Sequence, residues 1–150
     1  MPLLDSRDVS ILITTFNRKK ELVFTLNTLR DVISSEGIYI WDDASTDSTF
    51  EYILSEYPEI NIFQNTVNKG LIASRNQLMQ AAPTEYVLSL DDDAHFLNPE
   101  ELEKAMLFMD ANLNCAVLSF RLFWGLQKPA SQKTSENTYQ VSNFLGGAHL

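Results

Sequence analysis

Tyr86-Val87-Leu88-Ser89-Leu90-Asp91-Asp92-Asp93 is the stretch on which the reading of the chain turns. Its first five residues form an apolar run of strand length, and three adjacent carboxylates follow at once. Neighbouring carboxylates repel unless something cationic sits among them. A hard divalent ion is the simplest remedy, because Mg²⁺ or Mn²⁺ needs few protein carboxylates and completes its shell with water and phosphate. Strand alternation sets Asp91 and Asp93 on one side, as candidate metal ligands, and Asp92 on the other, where it can accept from a sugar hydroxyl. The competing reading is a solvated acidic turn ahead of a helix that starts near Pro99. The position at a strand end favours metal.

Outward from this run, strands and helices alternate. Val9 to Thr15 is a predicted strand, apolar on both faces through Leu12 as well as Val9, Ile11 and Ile13. A turn at Phe16-Asn17-Arg18 leads into a helix over 18–33, with Leu22, Leu26, Leu29 and Ile33 in one stripe. Ile38 to Trp41 is a second strand. A helix bearing Phe50, Ile53, Leu54 and Tyr57 follows, capped by Asp47 or Ser48 and stopped by Pro58. Ile60 to Phe63 is a third strand, 65–70 a polar loop and 71–81 a helix. Beyond the aspartates, a helix over about 99–112 is expected to bury Leu102, Met106 and Met109. Cys115 to Phe123 reads as a fifth strand and 138–145 as a sixth. The class is therefore α/β with a mainly parallel central sheet.

One hundred and fifty residues suit one domain with a real core. A net charge of -9 argues against a general nucleic-acid surface, so an anionic ligand would need a local cation or a helix N-terminus. The lone Cys115 excludes an internal disulfide, fits a reducing compartment and is expected to pack in an apolar run. No stretch has the apolar length of a membrane span, and no signal peptide is evident.

In parallel sheets, ligands bind outside the carboxyl ends of the strands. Three of those ends are polar here: Thr14-Thr15-Phe16-Asn17, Asp42-Asp43 and Asp91-Asp92-Asp93. An acidic residue ending the second strand can accept hydrogen bonds from a nucleoside, but the first turn lacks the G-x-G-x-x-G of dinucleotide folds. One of Asp42 and Asp43 is expected to bind and the other to brace an Asx-type turn. Phe16 offers a face for a base, or else is core. Asn68-Lys69-Gly70 opens a helix whose free N–H groups attract phosphate, and Arg75 one turn on could grip a diphosphate or form a surface ion pair. His95 reads as a loop histidine and Trp41 as core packing.

These blocks resemble family 2 glycosyltransferases, which have the GT-A, Rossmann-like fold. The resemblance lies in the runs 9–18, 41–49 and 68–76, and in Leu90-Asp91-Asp92-Asp93, which is similar to the family's Asp-x-Asp motif. It implies that Thr14, Phe16, Asn17, Asp42 and Asp43 hold the nucleotide base, with a carboxylate opposite uracil N3–H favouring UDP. It further implies that Asp91 and Asp93 hold Mn²⁺ or Mg²⁺ against the diphosphate, that Asp92 faces the ribose, and that Asn68, Lys69, Gly70 and Arg75 belong to the nucleotide site. On this reading 1–8 is a tail, 9–112 the nucleotide-sugar-binding core and 113–150 the start of an acceptor-side region. Asn143 to Ala148 is similar to the segment leading into that region, where an acidic catalytic base and more sheet usually follow. The catalytic base is therefore expected beyond Leu150, in a longer enzyme of which this is the donor-binding part.

The reaction implied is metal-dependent, inverting transfer of a sugar to an acceptor hydroxyl, in polysaccharide or glycolipid synthesis. The setting implied is cytoplasmic, at the inner face of a membrane with peripheral association, and an open sheet edge would favour a homodimer. A nucleotidyltransferase would want a glycine-rich basic loop after the first strand. A phospho-acceptor receiver domain would want an acidic pair there. A non-catalytic nucleotide-sugar-binding module is the other alternative.

Overall fold

The computed structural model describes Leu4 and residues 8–120. The chain divides into two units, Met1–Leu118 and Ser119–Leu150, and every element named here belongs to the first. The strands are β1 Val9–Thr15, β2 Ile38–Asp42, β3 Asn61–Gln64 and β4 Tyr86–Asp91. The helices are α1 Lys19–Leu29, α2 Thr49–Glu56, α3 Leu71–Ala81 and α4 Glu100–Ala111. The strands pair in parallel in the order β3-β2-β1-β4, so the expected alternating α/β class is what the chain adopts.

All seven residues of β1 are buried, because β1 lies inside the sheet with helices against it. Ile11 and Ile13 meet Ile38 and Ile40 in register, and Leu22, Leu26 and Leu29 of α1 are buried with them in the core. From β3 the chain crosses back over β1 to place β4 on the far side. Strand order thus reverses between β1 and β4, and a crevice opens at such a point beside the carboxyl ends. Thr14 pairs with Trp41 on one side and Asp91 on the other, which brings the three polar strand ends into one row.

Several boundaries differ from expectation. The first helix stops at Leu29, and Val32 and Ile33 turn back onto its Leu29 carbonyl. Ile33 is buried all the same, in a backbone bridge with Leu4, so part of the expected tail is tied down. Asp47, not Ser48, caps α2: its carboxylate accepts from the Thr49 N–H at 3.1 Å, while Ser48 sits at φ 61° with no side-chain cap bond. Leu102 is buried, but Met106 and Met109 are only half-covered: α4 is tied through Asp110 to Tyr86 of β4, the edge strand of the described sheet. Cys115 is half-buried and free, and residues 115–120 are in no strand. The rest of that expected strand, and the one over 138–145, lie outside the described residues.

Candidate functional site

β4 ends at Asp91, and Asp92 and Asp93 already belong to a turn, closed by the Ala94 N–H on the Asp91 carbonyl at 3.1 Å. Strand alternation therefore does not set their directions, as the sequence suggested, yet the turn produces the same division. The Asp91 and Asp93 side chains are 63% and 56% exposed and that of Asp92 only 10%. The Thr15 hydroxyl donates to Asp92 Oδ2 at 2.8 Å, and the Thr25 hydroxyl donates to the Asp92 carbonyl at 2.9 Å. Burial pushes the Asp92 carboxyl above the usual range, with Asp93 adding to it, against the opposing pull of Thr15 and Arg18.

The cation that three adjacent carboxylates demand is supplied by the protein. Arg75, from α3, donates to Asp91 Oδ1 at 2.7 Å. Arg18, ahead of α1, reaches Asp92 Oδ1 at 3.0 Å through Nε and Asp93 Oδ2 at 2.5 Å through Nη2. Burial draws the Arg18 guanidinium down, but Asp92 and Asp93 outweigh it and hold it above its ordinary value. Arg75 is legible in the sequence, whereas Arg18 reads there only as a turn residue at the start of a helix. The signal that could have found it is the single cation in the polar end of β1.

The second strand end is equally organised. Asp42 accepts from the Ser45 N–H and from Gln64 Nε2, each at 3.0 Å, and so braces the turn. Asp43, 3% exposed, accepts from the Lys69 N–H at 2.8 Å, the Gly70 N–H at 2.7 Å and Asn65 Nδ2 at 2.7 Å. Burial alone would raise its carboxyl, but the bonds from Lys69, Asn65, Gly70 and Ser74 outweigh it and hold the group below the usual range. Asp43 thereby fixes the 65–70 loop and the N-terminus of α3. Asn68 accepts from the same Gly70 N–H at 3.1 Å.

The β1 end joins this frame through Asn17, whose Oδ1 accepts from the Thr46 N–H at 2.7 Å and whose N–H donates to Ser45 Oγ at 2.8 Å. Asn17 and Ala44 both have positive φ, 53° and 67°, a conformation that holds the two turns face to face. Phe16 projects from this frame 43% exposed. The Thr14 hydroxyl and Arg75 Nε are buried without a hydrogen-bond partner among the described residues. Trp41 stacks on Phe63 at 5.2 Å, and His95 meets Phe24 edge-on at 5.8 Å.

The sequence-predicted residues thus come to one edge of the sheet, although Asp42 and Asp43 are engaged in bracing. Among the described residues, no group of three or more His, Cys, Asp or Glu is arranged to hold a metal. Asp91 and Asp93 do fit a site of the kind in which one or two carboxylates and substrate phosphates share the ion. Each is exposed, and each has one oxygen with no partner among the described residues.

The model of the family described as "Glycosyl transferase family 2" matches residues 10–144. The chain belongs to glycosyltransferase family 2. An uncharacterized glycosyltransferase of Haemophilus influenzae is 27% identical over 149 residues, 93% of this chain and 50% of that protein. The chain therefore spans about half the length of this relative. The S. aureus TarS 1-349 structure with UDP-GlcNAc superimposes with a TM-score of 0.58 at 27% identity, over 71% of this chain and 32% of that one. Mannosyltransferase PcManGT of Pyrobaculum calidifontis, determined with GDP-Man and Mn²⁺, shares the fold, with a TM-score of 0.58 at 19% identity, over 67% of this chain and 32% of that one. The fold is that of the GT-A glycosyltransferases. No helix among the described residues is long and apolar enough to cross a membrane.

Proposed function

We propose that this chain binds a nucleoside diphosphate sugar, UDP-linked by preference, together with Mn²⁺ or Mg²⁺ at Asp91 and Asp93. The observation that carries the reading is the meeting, at the carboxyl end of the sheet, of two exposed carboxylates with Arg75 and the α3 N-terminus. A bound metal would neutralise charge on the leaving diphosphate. Arg75 lends a guanidinium to the same diphosphate, and Asn68, Lys69 and Gly70 lead into the opening of α3 beside it. The Lys69 and Gly70 N–H groups are given to Asp43 and are not the free donors the sequence suggests, so the amides offered are those of the first turn of α3. Phe16 supplies a face for the base, with Thr14, Asn17 and Asp42 shaping its seat. Asp43 already accepts from Asn65, Lys69, Gly70 and Ser74 in the free protein, so a base N–H would bind there by displacing one of these donors. Asp92 serves the ribose. TarS, 27% identical and determined with UDP-GlcNAc, supports a uridine donor.

The whole protein, on this reading, transfers the sugar with inversion to a saccharide or lipid-linked hydroxyl, in polysaccharide or glycolipid synthesis at the cytoplasmic face of a membrane. The acceptor's proton passes to a carboxylate supplied beyond Leu150. Residues 9–112 are the donor-binding core. Calorimetry with UDP tests the central claim: affinity should be higher with Mn²⁺ than with EDTA, and Asp93→Asn should remove most of that increment. Equal affinity in the two conditions would sink the metal role.

A further inference from the structure

Asp91, Asp92 and Asp93 are held by two guanidinium groups, and the two differ in how they are mounted. Arg75 rises from within α3, half-buried, and meets one carboxylate. Arg18 is nearly half-exposed, bridges two carboxylates, and stands on a backbone fixed from both sides. Before it, Asn17 is bound to Ser45 and Thr46; after it, the Lys19 N–H donates to Asp47 Oδ2 at 3.1 Å; its own carbonyl takes the Leu22 N–H at 3.0 Å. The backbone is thus anchored, and the half-exposed Arg18 side chain is held by its bonds to Asp92 and Asp93.

We infer that Arg18 is a built-in counter-ion that makes divalent-metal binding at Asp91 and Asp93 depend on the nucleotide. The inference rests on the metal reading of this same site. A bare divalent ion approaching the acidic run meets a guanidinium already bonded to Asp93, and the two cations repel at short range. A metal bound to a nucleoside diphosphate arrives with net negative charge, so the same guanidinium attracts it. Because the Arg18 pairs are partly exposed they are weak individually, and an arriving anion can draw the side chain away from the carboxylates. Arg18 thus acts as a positioning residue: it keeps the carboxylates paired in the free protein and disfavours metal without donor.

The test measures Mn²⁺ binding to the 150-residue chain by electron paramagnetic resonance, with and without UDP, for wild type, Arg18→Gln and Arg18→Lys. In Arg18→Gln the nucleotide-free affinity for Mn²⁺ should rise, and the UDP–Mn²⁺ coupling should fall on the order of tenfold. Arg18→Lys should keep most of the coupling. A nucleotide-free affinity that is unchanged or weaker in Arg18→Gln overturns the inference while leaving the metal site intact. Failure of wild type to bind Mn²⁺ even with UDP overturns both. Should Arg18→Gln not fold, the Arg18 Nε–Hε resonance of wild type decides. It should shift when Mg²⁺ and UDP are added together and stay in place with Mg²⁺ alone; a resonance unmoved by the pair overturns the inference.

Discussion

Asp43 carries architecture and, on the proposed reading, base recognition as well. Its carboxylate ties the end of β2 to two backbone amides at the start of α3, so Asp43→Ala leaves those donors unpaired. We expect a loss of about 1–3 kcal/mol in stability, read by thermal or denaturant unfolding, and a narrower preference for UDP over CDP, read by calorimetry. An unchanged preference would leave Asp43 a bracing residue alone. The pH dependence has a definite sign. Asp43 and Asp47 both lie below the usual carboxyl range in the fold: burial raises each, but hydrogen bonds outweigh it, with Lys19 also favouring the Asp47 charge. Their contribution is complete above the unfolded carboxyl pKa of roughly 4 and is lost as pH falls through the lower folded values. The melting temperature should therefore drop on acidification below about pH 4, and less steeply in Asp43→Asn.

At the scale of elements, α3 couples core to site. Leu78 on its inner face is fully buried, while Arg75, one turn earlier, meets Asp91. Leu78→Ala should cost about 2–5 kcal/mol in an unfolding titration. Gly70, just before the helix, has φ 87° and ψ 156°, a region that side chains scarcely enter, although a Cβ there would meet nothing within 4 Å. Gly70→Ala is thus strained by backbone rather than by space. It should cost about 1–3 kcal/mol in stability and weaken UDP binding, because the α3 amides and Arg75 are re-aimed. A variant with wild-type affinity would show that the α3 N-terminus does not engage the diphosphate. The same scale explains where periodicity misled. Met106 and Met109 have helical spacing for burial, but how far a helix face is covered depends on what lies beyond β4.

At the scale of the whole molecule, binding and turnover should separate. Asp91, Asp93, Arg75 and the α3 N-terminus all precede Asn98, and the chain spans about half of its Haemophilus influenzae relative. A general base contributes roughly 10²–10⁴-fold in rate, so the 150-residue chain should bind UDP yet transfer sugar far more slowly than a version extended beyond Leu150. Equal rates in a side-by-side assay would place the base within these residues. What the sequence by itself determined is the parallel α/β class, the strands and helices up to 111, and the collection of Thr14, Phe16, Asn17, Arg75 and the aspartates at strand ends. Those follow from short-range periodicity and from the direction of a parallel sheet. Tertiary structure alone decided how the charges are paired. Arg18 and Asp93 are far apart in the chain, and only the reversal of strand order between β1 and β4 brings that cation onto those carboxylates. It likewise decided that Asp43 faces the 65–70 loop, because a hydrogen bond between β2 and the start of α3 exists only once both are packed against the same sheet.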